Sequence, residues 1–268
     1  MIRTARRRLA LIALGAVLGV LPALLAASAP VSAQLNVGVH HDNRPWEFRE
    51  PSGAYAGFDI DMARALGTEL GVEVTTRPLG FAELFEALDA GQVDAVASSL
   101  TITPARLARF DFTQPYYRTS QAVAVLKTAG VRDLAGLAGK TVATTPSSTN
   151  AQWLEASRDR YAIRSIRYVD SMDEALALLR RGQVAAYFGD EPALLYALLE
   201  SRDLAVIARL PTEERYGIML RRGSPWTGRL DAALSAIKVN GTLAAIHRKW
   251  FGSRPPPDSP VTTVLPRP

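Results

Sequence analysis

The sequence predicts an α/β protein built as two lobes joined by two hinge strands. Three observations carry that prediction. After residue 33, short strand-like runs alternate with helix-like runs, the pattern of an α/β fold. The alternation comes in two sets that echo each other. Leu88-Asp-Ala-Gly-Gln-Val-Asp-Ala-Val-Ala-Ser-Ser99 matches Leu179-Arg-Arg-Gly-Gln-Val-Ala-Ala-Tyr-Phe-Gly-Asp190 in order: helix end, Gly-Gln-Val turn, apolar strand, then a small or polar residue. Finally, strand-like runs at 123–126 and 216–220 flank the second set, where crossing strands would lie.

Within the first set, 35–39 alternates as a strand. The stretch 59–70 places Met62, Ala63, Leu66 and Leu70 on one helical face, and Gly71 follows as a glycine past a helix often does. A strand is expected over 72–76. Leu84, Phe85 and Leu88 mark a second helix stopped near Gly91, and 93–97 reads as a buried strand. Thr103 and Pro104 open another helix as N-cap and first helical residue. The second set begins with a strand over 141–145. A helix capped within 148–150 runs through 157, and Ser171 with Glu174 forms a capping box. A strand over 184–188 leads into a helix ending near 200. Leu230, Ala233, Leu234 and Ile237 then make an amphipathic helix, with a shorter one at 246–251. The expected organisation is lobe one from 34–125 plus 217–252 and lobe two from 126–216. The proline-rich tail 253–268 is expected to be disordered.

Residues 1–33 read as a cleaved signal peptide. Arg3, Arg6, Arg7 and Arg8 precede an apolar run over 9–27, and Val31-Ser32-Ala33 is a small-x-small cleavage pattern. An exported, periplasmic protein follows. The whole chain carries 31 Lys+Arg against 26 Asp+Glu. Removing the leader, with four arginines and no acids, leaves 27 against 26. That balance gives no basis for nucleic-acid binding. The chain has no cysteine, which excludes disulfides, thiol catalysis and cysteine metal sites.

Catalytic and cofactor motifs fail on inspection. The three histidines, His40, His41 and His247, have no metal-ligand spacing, and no Gly-x-Ser-x-Gly elbow exists. Gly139-Lys140-Thr141 resembles the end of a phosphate loop, but the required earlier glycine is Leu134. No cofactor and no metal are expected. Arg106 is more informative. It falls in the first turn of the helix opened by Thr103 and Pro104, where the helix dipole disfavours a cation. Either an anionic ligand resolves the mismatch, or Arg106 is an ordinary surface or salt-bridged arginine. Asp190 ends a buried strand in the other set. It either holds a ligand ammonium or caps the helix that starts at Glu191-Pro192. Ligands of such sheets bind beyond the carboxyl ends of the strands, which places Ser98-Ser99 and Gly189-Asp190 on opposite sides of one cleft. Asp59 and Asp61 read as helix-start residues. Trp46 and Phe81 read as pocket wall or core.

Taken in order, several segments resemble the periplasmic amino-acid-binding proteins, family 3 of the bacterial solute-binding proteins. They are Gly53, Tyr55 and Gly57 through Asp61; Leu88, Gly91, Val93 and Asp94; Ser98 through Thr103 with Arg106; Asp111 through Thr113 with Pro115 to Tyr117; and Lys249 through Gly252. The resemblance spans about residues 35–252. It implies a type II periplasmic-binding-protein fold, no enzyme activity, and a monomer that hands an amino-acid-like ligand to an ABC permease in the inner membrane. It also implies that Arg106, with Ser99 and Thr101, clamps the α-carboxylate. Thr149, with Asn150 beside it, would reach the same carboxylate from lobe two. Asp190 and the Ser98–Ser99 segment would hold the ammonium, and Phe81 would pack over the ligand. Where basic-amino-acid binders carry a carboxylate and then an aromatic, this chain has His40 and Asn43. With Thr145 this suggests a small polar pocket rather than one for lysine or arginine, while Arg44 leaves an acidic ligand open. A cyclohexadienyl dehydratase on the same fold is the competing expectation, with Glu47, His40 or Glu191 as its acid.

Overall fold

The computed structural model describes residues 34–268. The expected signal peptide lies outside the described residues. Two five-stranded sheets dominate, and they share one plan. In the first, the order is Glu73–Leu79, Gln34–His40, Ala95–Val96, Met219–Arg221, Phe110–Phe112. In the second it is Ser165–Tyr168, Thr141–Thr144, Ala186–Asp190, Gln121–Leu126, Leu204–Leu210. The first three strands of each sheet run parallel, and the last two join antiparallel. Parallel neighbours need crossover helices, which is why the sequence alternates as it does. The echoed segments supply the third strand of each sheet.

Local chemistry sets the element ends. Gly71 stops the helix Phe58–Leu70 in a left-handed conformation, φ 64°. Thr103 accepts from the Arg106 N–H at 3.2 Å, and Pro104 leads the single turn Pro104–Leu107. Ser148 caps Thr149–Ser157, and Ser171 caps Met172–Arg180, each through its hydroxyl. Helices cover the sheets, and apolar side chains such as Leu35, Val37, Leu84, Val96, Val142 and Phe188 are fully buried between the layers.

The crossing lies elsewhere than expected. Gln121–Leu126 is not a link: it is an inner strand of the second sheet, between Ala186–Asp190 and Leu204–Leu210. Its first five residues are buried, as befits a strand covered on both faces. The expected lobe-one boundary at 125 therefore moves back, ahead of Gln121. The connection is a short antiparallel ribbon, Tyr117–Arg118 with Arg215–Tyr216. The second run is split likewise: Arg215–Tyr216 belongs to this ribbon, and Met219–Arg221 to the first sheet. An aromatic cluster braces the ribbon. Trp46 is wholly buried and meets Tyr117, Tyr216 and Phe58 edge-on, with ring centroids 4.7, 5.2 and 5.4 Å away. Trp46 is thus core.

The tail is ordered by contacts, against the expectation of disorder. Val261 is buried. Lys238, itself buried, donates to Gln114 Oε1 and the Pro115 carbonyl, both at 2.7 Å, and to the Thr263 carbonyl at 3.0 Å. The Leu265 N–H reaches the same Gln114 oxygen at 3.0 Å. A proline-rich composition predicts disorder only when nothing buried receives it. Here a buried ammonium does.

Candidate functional site

The carboxyl ends of both sheets meet across a narrow cleft with a cavity of about 50 Å³. Of the nine residues expected in the site, eight line it: Arg106, Asp190, Ser99, Thr101, Thr149, Asn150, Phe81 and Asn43. Ser98 does not. It is wholly buried, accepts from the His40 N–H at 3.3 Å and donates to Glu47 Oε1 at 2.6 Å. Both serines lie past the end of the strand Ala95–Val96, and the backbone turns left-handed at Ser99, φ 42°, so the two hydroxyls part, one toward Glu47 and the other toward Asn43. Reading Ser98 and Ser99 as a pair missed that turn.

Arg106 is buried despite its charge. Its Nη1 donates to the Thr101 carbonyl at 2.7 Å, and its Nη2 crosses the cleft to the Ser147 carbonyl at 3.1 Å. Its guanidinium stands 5.8 Å from the Phe81 ring centre and 5.2 Å from that of Phe85. Burial lowers its pKa to about 10, partly offset by Asp190 and Glu214, so it stays charged at neutral pH. The turn Pro104–Leu107 is too short to stabilise an anion by itself, so the guanidinium supplies the charge.

Asp190 faces it from lobe two. It stands at the N-cap of Glu191–Glu200, yet its side chain makes no capping bond. Tyr216 donates to its Oδ2 instead. Its Oδ1 and the nearby Asn150 Nδ2 are buried without a hydrogen-bond partner. Burial raises the Asp190 pKa; Tyr216, Asn150 and Arg106 pull it back. Opposite charges on two lobes, one with an orphaned oxygen, suit a zwitterion. Two serines in the left-handed region flank the cleft, Ser99 at φ 42° and Ser147 at φ 60°. Such strain in non-glycine residues collects where a site is held in shape.

The remaining wall is polar. His40 and Asp42 line it beside Asn43, facing Thr145, Met172 and Tyr187 of lobe two. Burial, then neighbouring His41, pushes the His40 pKa down to about 4, so the ring is neutral and can accept a hydrogen bond. Arg44 points elsewhere, with its guanidinium 4.1 Å from the Phe48 ring centre, which removes the reason for an acidic ligand. Sequence reasoning missed Tyr216 and Glu214. Glu214 accepts from Gln121 at 2.8 Å and Thr149 at 3.3 Å, and burial with nearby Asp190 raises its pKa to about 7. Both residues sit in or beside the hinge ribbon, and nothing in their local sequence places them next to Asp190.

Of the three acids considered for dehydratase chemistry, only His40 lines the cleft, and its lowered pKa leaves it neutral. Glu47 is wholly buried behind the wall, and Glu191 pairs with Arg209 and Ser120 outside the cleft.

Residues 35–253 match the bacterial extracellular solute-binding proteins, family 3. The chain is 31% identical over 241 residues to ABC transporter arginine-binding protein 1 of Escherichia coli (strain K12), covering 87% of this chain and 98% of that protein. It is 28% identical to the L-cystine-binding protein TcyJ of the same strain, covering 82% and 83%. Among solved structures, an ancestral arginine-binding protein bound to arginine superposes with a TM-score of 0.77 at 31% identity, covering 82% of this chain and 98% of that one.

Proposed function

Because this chain belongs to family 3 of the bacterial extracellular solute-binding proteins, we propose that its cleft captures the zwitterionic head of an amino acid for an ABC importer. Relatives bear names for ligands as different as arginine and cystine. What those ligands share is the α-ammonium and α-carboxylate. The observation that carries the reading is the opposition of Arg106 and Asp190 across the cleft, with Asp190 Oδ1 buried and unpartnered. Arg106 takes the carboxylate with a two-pronged, charge-assisted grip, beside Ser99 and Thr101. Asp190 and Asn150 take the ammonium, and Thr149 closes on the head from lobe two. Phe81 packs over the ligand. Ser98 acts one layer behind.

The two lobes swing on the ribbon 117–118 and 215–216, and binding holds them shut. The protein works as a monomer outside the cytoplasm, after loss of residues 1–33. Among the described residues no helix is long and apolar enough to cross a membrane. Relatives named as binding proteins support a binding role over an enzymatic one.

A thermal-shift screen over the amino acids tests the proposal, since a ligand that binds only the folded state raises apparent stability. Stabilisation by at least one amino acid, abolished in Arg106→Ala, is expected. Stabilisation by none of them, with folded protein, would overturn it.

A further inference from the structure

Behind the cleft wall lies a pair of acids that capture alone does not explain. Glu47 and Asp59 are both wholly buried, and two adjacent residues bind them, Ser98 through its hydroxyl to Glu47 and Ser99 through its N–H to Asp59. No Lys, Arg or His among the described residues forms an ion pair with either. Each uses one oxygen on the cleft rim. Glu47 Oε1 accepts from Ser98 Oγ at 2.6 Å and Asn43 Nδ2 at 3.2 Å. Asp59 Oδ2 accepts from the Ser99 N–H at 2.6 Å and Tyr116 OH at 3.0 Å. The other oxygens, Glu47 Oε2 and Asp59 Oδ1, have no donor. Two neighbouring buried carboxylates without a cation cannot both stay ionised out of water.

We propose that Glu47 and Asp59 share one proton, and that this acid–carboxylate pair is the positioning element that sets Asn43 and Ser99 at the cleft. The proton is taken from solvent as the chain folds. It sits on Glu47 Oε2 and is donated to Asp59 Oδ1, which satisfies both orphaned oxygens with one hydrogen bond. Asp59 is then the carboxylate, and its charge is met by the Ser99 amide and the Tyr116 hydroxyl. The arrangement accounts for Ser99 holding φ 42°, because its N–H is drawn to a buried anion. Asn43 ties the two sides together, since its Nδ2 also donates to Ser99 Oγ at 2.9 Å. Burial raises both carboxyls, Asp59 to about 7 and Glu47 well above the ordinary range, the latter with help from Asp59. The other polar groups packed here are neutral: Tyr116, whose own pKa burial raises, and the His40 backbone behind Ser98.

Glu47→Gln tests this, because an amide puts an N–H where the shared proton lies. Urea unfolding of both proteins from pH 5 to pH 8 reads the proton. Groups raised on folding bind protons that the unfolded chain has lost, so stability falls as pH rises. The wild-type folding constant should therefore fall by up to tenfold per pH unit relative to Glu47→Gln. An amide nitrogen–proton spectrum reads the positioning. The Ser99 amide signal should shift with pH in a one-proton step in the wild type, and stay fixed in Glu47→Gln. Equal pH slopes in the two proteins would overturn the shared proton. A Ser99 signal that does not titrate in the wild type, or titrates equally in both, would overturn the positioning role. Neither measurement uses a ligand, so failure here is separate from failure of the capture reading.

Discussion

Replacing Asp190 by asparagine should separate binding from stability, and in opposite directions. The carboxylate is buried, its Oδ1 has no partner, and Glu214 lies near enough to oppose its charge. Its pKa is raised by burial above that of an unfolded aspartate. A raised carboxyl favours folding below the unfolded pKa, and that advantage is lost as pH rises through the folded value. At neutral pH the charge therefore opposes folding, and Asp190→Asn, which keeps an acceptor for Tyr216, should unfold no more easily than wild type. Binding should suffer. With the ligand held between Arg106 and residue 190, removing one charge strands the ammonium in a closed cleft, which typically costs roughly 2–5 kcal/mol. That corresponds to a loss of about 30-fold or more in affinity. Calorimetric titration with the amino acid found by screening, and with its deamino analogue, reads the contact. The analogue should bind the wild type poorly and lose little further in Asp190→Asn, because the pair is then already broken. Near-wild-type affinity of Asp190→Asn for the amino acid would refute the reasoning. So would a lowered unfolding midpoint with normal affinity, the result expected of a residue that only caps the helix Glu191–Glu200.

Other predictions follow from the same geometry. Arg106→Lys keeps the charge but cannot span the Thr101 and Ser147 carbonyls, so affinity by calorimetry should fall by at least about tenfold. Lys238→Met leaves the Pro115 and Thr263 carbonyls without this donor and Gln114 Oε1 with the Leu265 N–H alone; denaturant unfolding should show a loss of roughly 1–3 kcal/mol, and limited proteolysis should cut the released tail after residue 253 first. Because the Lys238 pKa is lowered to about 8, its amine is neutralised more readily here than in solvent, so the tail should loosen earlier on the alkaline side than an exposed lysine would allow. Glu214, raised to about 7, takes up a proton on folding between the ordinary carboxyl range and that value, so stability falls as pH rises through it; Glu214→Gln should flatten the dependence between pH 5 and pH 8. Small-angle scattering at ligand saturation should give a smaller radius of gyration than without ligand, and an unchanged radius would count against hinge closure.

What the sequence determined by itself was local and periodic. Two α/β sets, their helix faces, the caps at Thr103, Ser148 and Ser171, and the strand ends carrying Ser99 and Asp190 all follow from patterns within a few residues. Placing Arg106 opposite Asp190 needed one more step, the rule that ligands sit beyond strand ends, and the internal echo supplied it. Tertiary structure decided the rest, wherever a residue's role depends on a partner far along the chain. Gln121–Leu126 looks the same whether it crosses between lobes or lies inside a sheet; only pairing with Ala186–Asp190 and Leu204–Leu210 tells them apart. The tail holds because Lys238 and Gln114 wait for it. Ser98 and Ser99 divide their labour because the rim turns one hydroxyl toward Glu47 and leaves the other at the cleft. Glu47 and Asp59 stand twelve positions apart and read separately as a candidate acid and a helix start. Burial in one neighbourhood, with no ion-pair partner among the described residues, makes them one titrating group, and desolvation of that kind exists only in the folded chain.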